Sequence, residues 1–252
     1  DGGKGGTIDI KSTAGSVSIG NSIYADGGDG APGGDNTYDL TAPFIAGGRG
    51  GDGGTVTIEA HSEVNLNGSI RANGGWGREG FWDSSNSNTY VSRGGDGGSG
   101  GSVSVLTHTL TTALVGEIYA SGGDSGAGNL SGNGGSGGNV TLIGAGGVTV
   151  SGWQGDIWYD AYVEARGGNA DSNSDGVGGH GGKGGAIALV VRDGDIDVTG
   201  YLSVRGGNSG YGVAPASYGG DGGTVEFSLG GWSGDGETFL DRSKTTTVTR
   251  AI

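Results

Sequence analysis

The chain has no cysteine, no methionine and only 3 prolines in 252 residues. Without cysteine there is no disulfide framework, no thiol nucleophile and no thiolate metal site. With so little proline the abundant glycine is not that of collagen, which needs Gly-X-Y triplets rich in proline. Basic residues are also scarce, 13 against 27 acids for a net charge of −14. That balance lacks the cationic footprint phosphate backbones require, so no nucleic acid partner is expected. No apolar run approaches the ~20 residues of a membrane helix, and no membrane span is expected. Hydrophobic residues make up 32%, too few for a thick globular core but enough for a thin one shared between stacked repeats.

What the chain has in excess is glycine, 66 residues, and it is placed periodically. Residues 47–54 read Gly-Gly-Arg-Gly-Gly-Asp-Gly-Gly, and similar runs recur, each leading into alternating apolar residues. The first apolar residues after these runs are Ile8, Val56, Val103, Val140, Ile187 and Val225, separated by 48, 47, 37, 47 and 38 residues. Each anchor opens a period-two alternation, as in Val56/Ile58, Val103/Val105 and Val140/Leu142. Such a period is that of a β-strand with one face buried.

A second pattern follows, in the form V-x-V-x-G-x-I-x-A-x-G-G. It runs Val64, Leu66, Gly68, Ile70, Ala72, Gly74-Gly75 in the second unit and Ile196, Val198, Gly200, Leu202, Val204, Gly206-Gly207 in the fifth. Each unit therefore offers three short strands and two corners, with a bend at the central glycine or asparagine. The expected fold is all-β: a parallel β-helix, or β-solenoid, of about six coils, with loop excursions on one side. Repeats occupy residues 1–230, and 231–252 form a C-terminal extension.

The glycine runs have a period of their own. In three of them every third residue is not glycine: Arg49/Asp52, Asp96/Ser99 and His180/Lys183. A period of three predicts polyproline-II-like returns with side chains along one edge. Stacking then places Lys4 beside Asp52 and Lys183 beside Asp221, opposite charges on neighbouring units.

Three groups of residues are candidates for function. The excursions carry aromatics, and Trp76, Trp82, Tyr90, Trp153, Trp158 and Tyr159 are candidates for stacking on a glycan or docking a partner surface, against the plainer role of closing the flank of a thin core. Asp193, Asp195 and Asp197 have the carboxylate spacing of a calcium loop. The alternative is that they are the solvent face of the strand carrying Ile196. No cofactor is required, and calcium would be structural. Finally, the terminal TTTVTRAI reads as an isolated strand, which makes Thr245, Thr246, Thr247, Val248 and Ile252 candidates for capping the repeats or for exchange into a neighbouring subunit.

Catalytic motifs are absent. His61, His108 and His180 fall in three different units, and there is no nucleophile elbow, phosphate loop or zinc-helix motif. A polysaccharide-cleaving pair of acids on a β-helix face stays open as a lesser reading. Outward positions of the first strand mix Thr and Ser with Asp, Asn, Ala and Glu, which argues against a dedicated ice-binding array.

The units GGDGGTVTIEA and VNLNGSIRANGG resemble the glycine-rich β-strand repeats of large exported microbial surface proteins, including haemagglutinin-like and autotransporter-type adhesins and microbial matrix proteins. The resemblance implies a right-handed parallel β-helix outside the cell or on its surface, in an adhesive or structural role. It carries over no site residues. The expected function is thus a non-enzymatic extracellular subunit that self-associates end to end into a homo-oligomer or polymer, with an adhesin that binds glycans as the alternative.

Overall fold

The computed structural model describes residues 1–34, 45–83, 89–109, 111–114, 116–151, 162–172, 176–212, 217–232, 239–240 and 246–248. Among these the protein is all-β, with no helix and three large parallel sheets. The first sheet has six strands: Thr7–Ser12, Thr55–Ala60, Ser102–Thr107, Asn139–Gly144, Ala186–Val191 and Thr224–Leu229. The second stacks Val17–Ile19, Val64–Leu66, Thr111–Leu114, Gly147–Val150, Asp195–Val198 and Thr246–Val248. The third has five: Ile23–Tyr24, Ser69–Arg71, Glu117–Tyr119, Tyr162–Glu164 and Tyr201–Ser203. Each of the first five repeat units therefore gives one strand to each sheet.

The register follows the sequence anchors. Ile8 pairs with Val56, Val56 with Val103, Val103 with Val140, Val140 with Ile187 and Ile187 with Val225. A one-residue slip would turn every apolar side chain outward, so the alternation itself fixes the pairing. The inward residues Val56, Ile58, Val64, Leu66, Ile70, Val103, Val105 and Ile118 are fully buried and belong to one continuous cluster. The first and last units are different: Ile8, Ile10, Val17, Ile19 and Ile23 at one end, and Val225, Phe227 and Leu229 at the other, are only half-buried against that cluster.

The glycine segments form two further layers. Return segments lead into the first sheet, and outgoing segments leave the third. The triplet Gly97-Gly98-Ser99 shows how their amides are satisfied. Gly97 N–H donates to Asn133 O of the next return segment (2.8 Å), and Gly98 N–H donates across to Gly75 O in an outgoing segment (2.9 Å). Ser99 N–H donates to the Asp52 side chain of the preceding unit (3.0 Å). The triplet Gly47-Gly48-Arg49 repeats the scheme with Arg93 O, Ala31 O and Asp1 Oδ1. Three successive amides point in three directions, so no donor is left over.

These layers pack so closely that a side chain has no room. A Cβ on Gly98 would lie 2.0 Å from Gly51 O, and one on Gly184 would lie 1.9 Å from Val204 O. At the strand corners Gly68 and Gly116 are held by the same kind of approach, 2.2 Å from Asn21 O and 2.0 Å from Gly68 O. Gly147 is a separate case: its φ of 146° is one that L side chains rarely adopt.

Candidate functional site

Two features organise the surface, a ladder of polar side chains along the glycine layers and an aromatic face on the third sheet. The ladder occupies the third position of each glycine triplet. On the outgoing side, Asp26 Oδ1 accepts Asn73 N–H (2.7 Å), Asn73 Oδ1 accepts Ser121 N–H (2.8 Å) and Ser121 Oγ accepts Arg166 N–H (3.3 Å). One triplet on, Asp29 Oδ1 accepts Trp76 N–H (3.0 Å), Asp124 Oδ1 accepts Asn169 N–H (2.6 Å) and Asn169 Oδ1 accepts Asn208 N–H (2.9 Å). On the return side, Asp96 Oδ1 takes Asn133 N–H (2.7 Å), Asn133 Oδ1 takes His180 N–H (2.9 Å) and His180 Nδ1 takes Tyr218 N–H (3.0 Å).

Asp, Asn, Ser and neutral His share one property here, a side-chain acceptor short enough to reach the next amide. Lys and Arg have none, and several that occupy the position pair with carboxylates instead. Lys4 Nζ lies 3.9 Å from Asp52 Oδ2, and Lys183 Nζ lies 3.9 Å from Asp221 Oδ2, the two pairings read from the sequence. Arg49 and Arg93 reach Asp52 and Asp96 within their own segments, at 2.8 and 3.1 Å. The sequence reading treated these positions as an exposed charged edge and missed the ladder. The signal was there: the third positions of the outgoing triplets, too, are mostly Asp, Asn and Ser.

The aromatic face lies outside the third sheet. Cross-strand pairing aligns Tyr24, Arg71, Tyr119, Glu164 and Ser203 in one row. The neighbouring row holds Ser69, Glu117, Tyr162 and Tyr201, and the Tyr162 and Tyr201 rings stack at 5.2 Å. Arg71 sits 5.6 Å over the Tyr24 ring and its Nε is 3.5 Å from Asp26 Oδ2. Beside these rows runs a groove of about 390 Å³ that includes Asp26, Asp29, Arg71, Trp76, Tyr119, Asp124 and Glu164 in its walls. Burial, and then the Glu117 carboxylate, push the Tyr119 hydroxyl well above the ordinary phenol range, so it stays protonated and can donate.

Of the aromatics singled out from sequence, Trp76 lies in this groove and is 57% exposed. Trp82 is 42% exposed on a short antiparallel pair, Trp82–Asp83 with Thr89–Tyr90, and does not line the groove. Trp153, Trp158 and Tyr159 lie outside the described residues. Tyr24, Tyr119 and Tyr201 are not among the sequence candidates, although each stands one place from an inward residue of its strand. A second cavity, of about 350 Å³, is lined by Arg93, Ser131, Asn133 and His180 among others. Within it the Ser131 hydroxyl is buried with no hydrogen-bond partner among the described residues, a site with room for water.

Asp193, Asp195 and Asp197 are exposed, the last two alternating with the buried Ile196 and Val198 on one strand. Among the described residues no three His, Asp or Glu side chains converge on a common point. Of the proposed assembly residues, Thr246, Thr247 and Val248 pair in parallel with Ile196, Asp197 and Val198 of the same chain, as the sixth strand of the second sheet. Thr245 and Ile252 lie outside the described residues. No helix among the described residues is long and apolar enough to cross a membrane.

Compared with known proteins, the chain matches no family, no curated protein and no solved structure.

Proposed function

We propose that the three sheets are the walls of one parallel β-solenoid of about six coils, closed by polyproline-II-like glycine segments, and that the protein is an extracellular structural subunit that stacks end to end. The register of three sheets with the same unit order supports the first part. The observation that carries the second is the half-buried state of Ile8, Ile10, Val17, Ile19 and Ile23 in the first unit and of Val225, Phe227 and Leu229 in the last. Among the described residues their interior equivalents are sealed and these are not, and a partly covered apolar layer flanked by strand edges is the arrangement that invites another layer of the same kind. The acidic surface and the lack of thiols suit a protein that works outside the cell, where it acts by forming a scaffold rather than by catalysis. Sedimentation and negative-stain microscopy of the full chain test this: rods that lengthen with concentration are expected. Single rods of fixed length at all concentrations would overturn it.

A second reading, glycan binding, is favoured by the groove. Exposed Trp76 beside Tyr119 and several carboxylates is the pairing of a flat apolar surface with hydrogen-bonding groups that a sugar ring uses. Glycan-array binding lost in Trp76→Ala would favour it. Equal binding by both proteins would remove it.

A further inference from the structure

Trp76 departs from the row it stands in. One unit earlier the same ladder position holds Asp29, whose Oδ1 accepts Trp76 N–H (3.0 Å). One and two units later it holds Asp124 and Asn169, joined by the bond from Asn169 N–H to Asp124 Oδ1 (2.6 Å). Tryptophan has no side-chain acceptor, its indole nitrogen being a donor only. The ladder is interrupted there, and Asp124 N–H donates to nothing among the described residues. Nor does Trp76 serve the core, since its side chain is exposed. A residue that forgoes the local structural bond and leaves its ring in solvent is placed for contact with something outside the chain.

The charges around it say what kind of contact. Four carboxylates line the groove, and arginines meet three of them: Arg71 at 3.5 Å from Asp26, Arg78 at 2.5 Å from Asp29 and Arg166 at 3.5 Å from Glu164. The fourth, Asp124, has no cation partner among the described residues, and its ladder bond to Asn169 fixes its orientation. Asp124 also adjoins Trp76, since its carbonyl accepts Gly77 N–H (2.8 Å). A further cavity, of about 320 Å³, shares Arg71, Asn73 and Tyr119 with the groove, so the two are lobes of one trough. This lobe too holds a carboxylate that no cation meets among the described residues, Glu117, which accepts a bond from Ser69 Oγ (3.1 Å).

We propose that the trough binds a chain of sugars carrying free amino groups, an inference that rests on the glycan reading above and narrows it to one class. The Trp76 ring lies under the apolar face of one sugar unit. Asp124 N–H donates to a hydroxyl of that unit, and the Asp124 carboxylate takes its ammonium in a charge-assisted bond. Glu117 takes the ammonium of a unit in the other lobe. Acidic sugars meet like charge here, and neutral ones cover two carboxylates without supplying a counter-charge.

The probes are hexamers of glucosamine, of N-acetylglucosamine and of glucose in the same linkage, titrated calorimetrically into the full protein at a pH that keeps the amines protonated. The glucosamine hexamer is expected to bind at least about tenfold, or about 1.4 kcal/mol, more tightly than the other two. Asp124→Asn keeps an oxygen for Asn169 N–H, so its melting curve stays unchanged while the preference is lost. Glu117→Gln is the second variant should the first fail to fold. Asp9→Asn, an equal change of charge at an exposed position of the first sheet, leaves the preference in place. Equal binding of the three hexamers overturns the proposal while the glycan reading stands, and binding of none removes both. A preference that survives Asp124→Asn and Glu117→Gln, or that Asp9→Asn abolishes as well, reflects bulk charge and also overturns it.

Discussion

Asp52 Oδ1 accepts the backbone N–H of Ser99, 47 residues further along the chain, at 3.0 Å. This contact joins two glycine segments outside the sheets, beside the backbone bonds from Gly50 N–H to Asp96 O and from Gly53 N–H to Ser99 O, and its counterparts recur on both glycine layers. The side chain supplies what the backbone cannot: in triplets such as Gly97-Gly98-Ser99 two amides find carbonyls and the third finds a side-chain acceptor. A ladder position is thus a structural site although it lies on the surface.

Removing a ladder acceptor strands an amide. Asn73→Ala takes the acceptor from the partly buried Ser121 N–H, and a loss of about 1 kcal/mol is expected. Asn73→Asp, which keeps the acceptor, restores most of it. Urea denaturation of the three proteins gives the comparison.

Interior and terminal glycines should respond in opposite ways. Gly98→Ala drives a methyl group into Gly51 O at 2.0 Å, and a loss above about 3 kcal/mol is expected. Gly3→Ala and Gly6→Ala meet nothing within 4 Å and leave the melting temperature of the protein within about 1 °C. If copies stack through the first unit, Gly3→Val with Gly6→Val blocks growth while the single molecule stays folded, which sedimentation would show.

Core truncation should be costly despite the thin section. Leu142 is fully buried between neighbours on both sides, and Leu142→Ala is expected to lose about 2–5 kcal/mol. Chemical denaturation measures it.

Acid should weaken the first sheet through Glu59. The Lys11 ammonium at 2.8 Å, and then His108 at 2.9 Å, hold its carboxyl below the usual range. A carboxyl lowered by folding stabilises above its unfolded value, and that contribution disappears as pH falls through the folded value. Glu59→Gln therefore gives a shallower loss of stability on acidification than the parent. Urea midpoints over the acid range test the difference, which is small because the groups are partly exposed.

The strand pattern was legible because period-two alternation needs only local sequence. Ile8, Val56, Val103, Val140, Ile187 and Val225 lie in one register, as their spacing indicated. The Lys4–Asp52 and Lys183–Asp221 pairs followed from the same alignment. The ladder was not legible as a ladder, because it depends on which amide faces which side chain between layers. His180 read as an edge residue until its Nδ1 was placed on Tyr218 N–H. The aromatic face was not legible for a different reason: Tyr24, Tyr119, Tyr162 and Tyr201 are outward residues of short strands and form a face only once those strands are stacked. Of the terminal stretch, Thr246–Val248 is a strand and pairs with Ile196–Val198 of its own chain.

Contacts in one row of the return-side ladder span 48, 37, 47 and 38 residues, yet each joins equivalent positions of adjoining units. Ten residues can thus be gained or lost in the intervening chain without disturbing the alignment, and lengthening such a surface segment carries only a small entropic penalty. The parts that bear the fold are insulated from the parts that meet the surroundings. Outward segments can be rewritten, exchanged or enlarged while the frame stays the same, which makes the molecule a natural display platform.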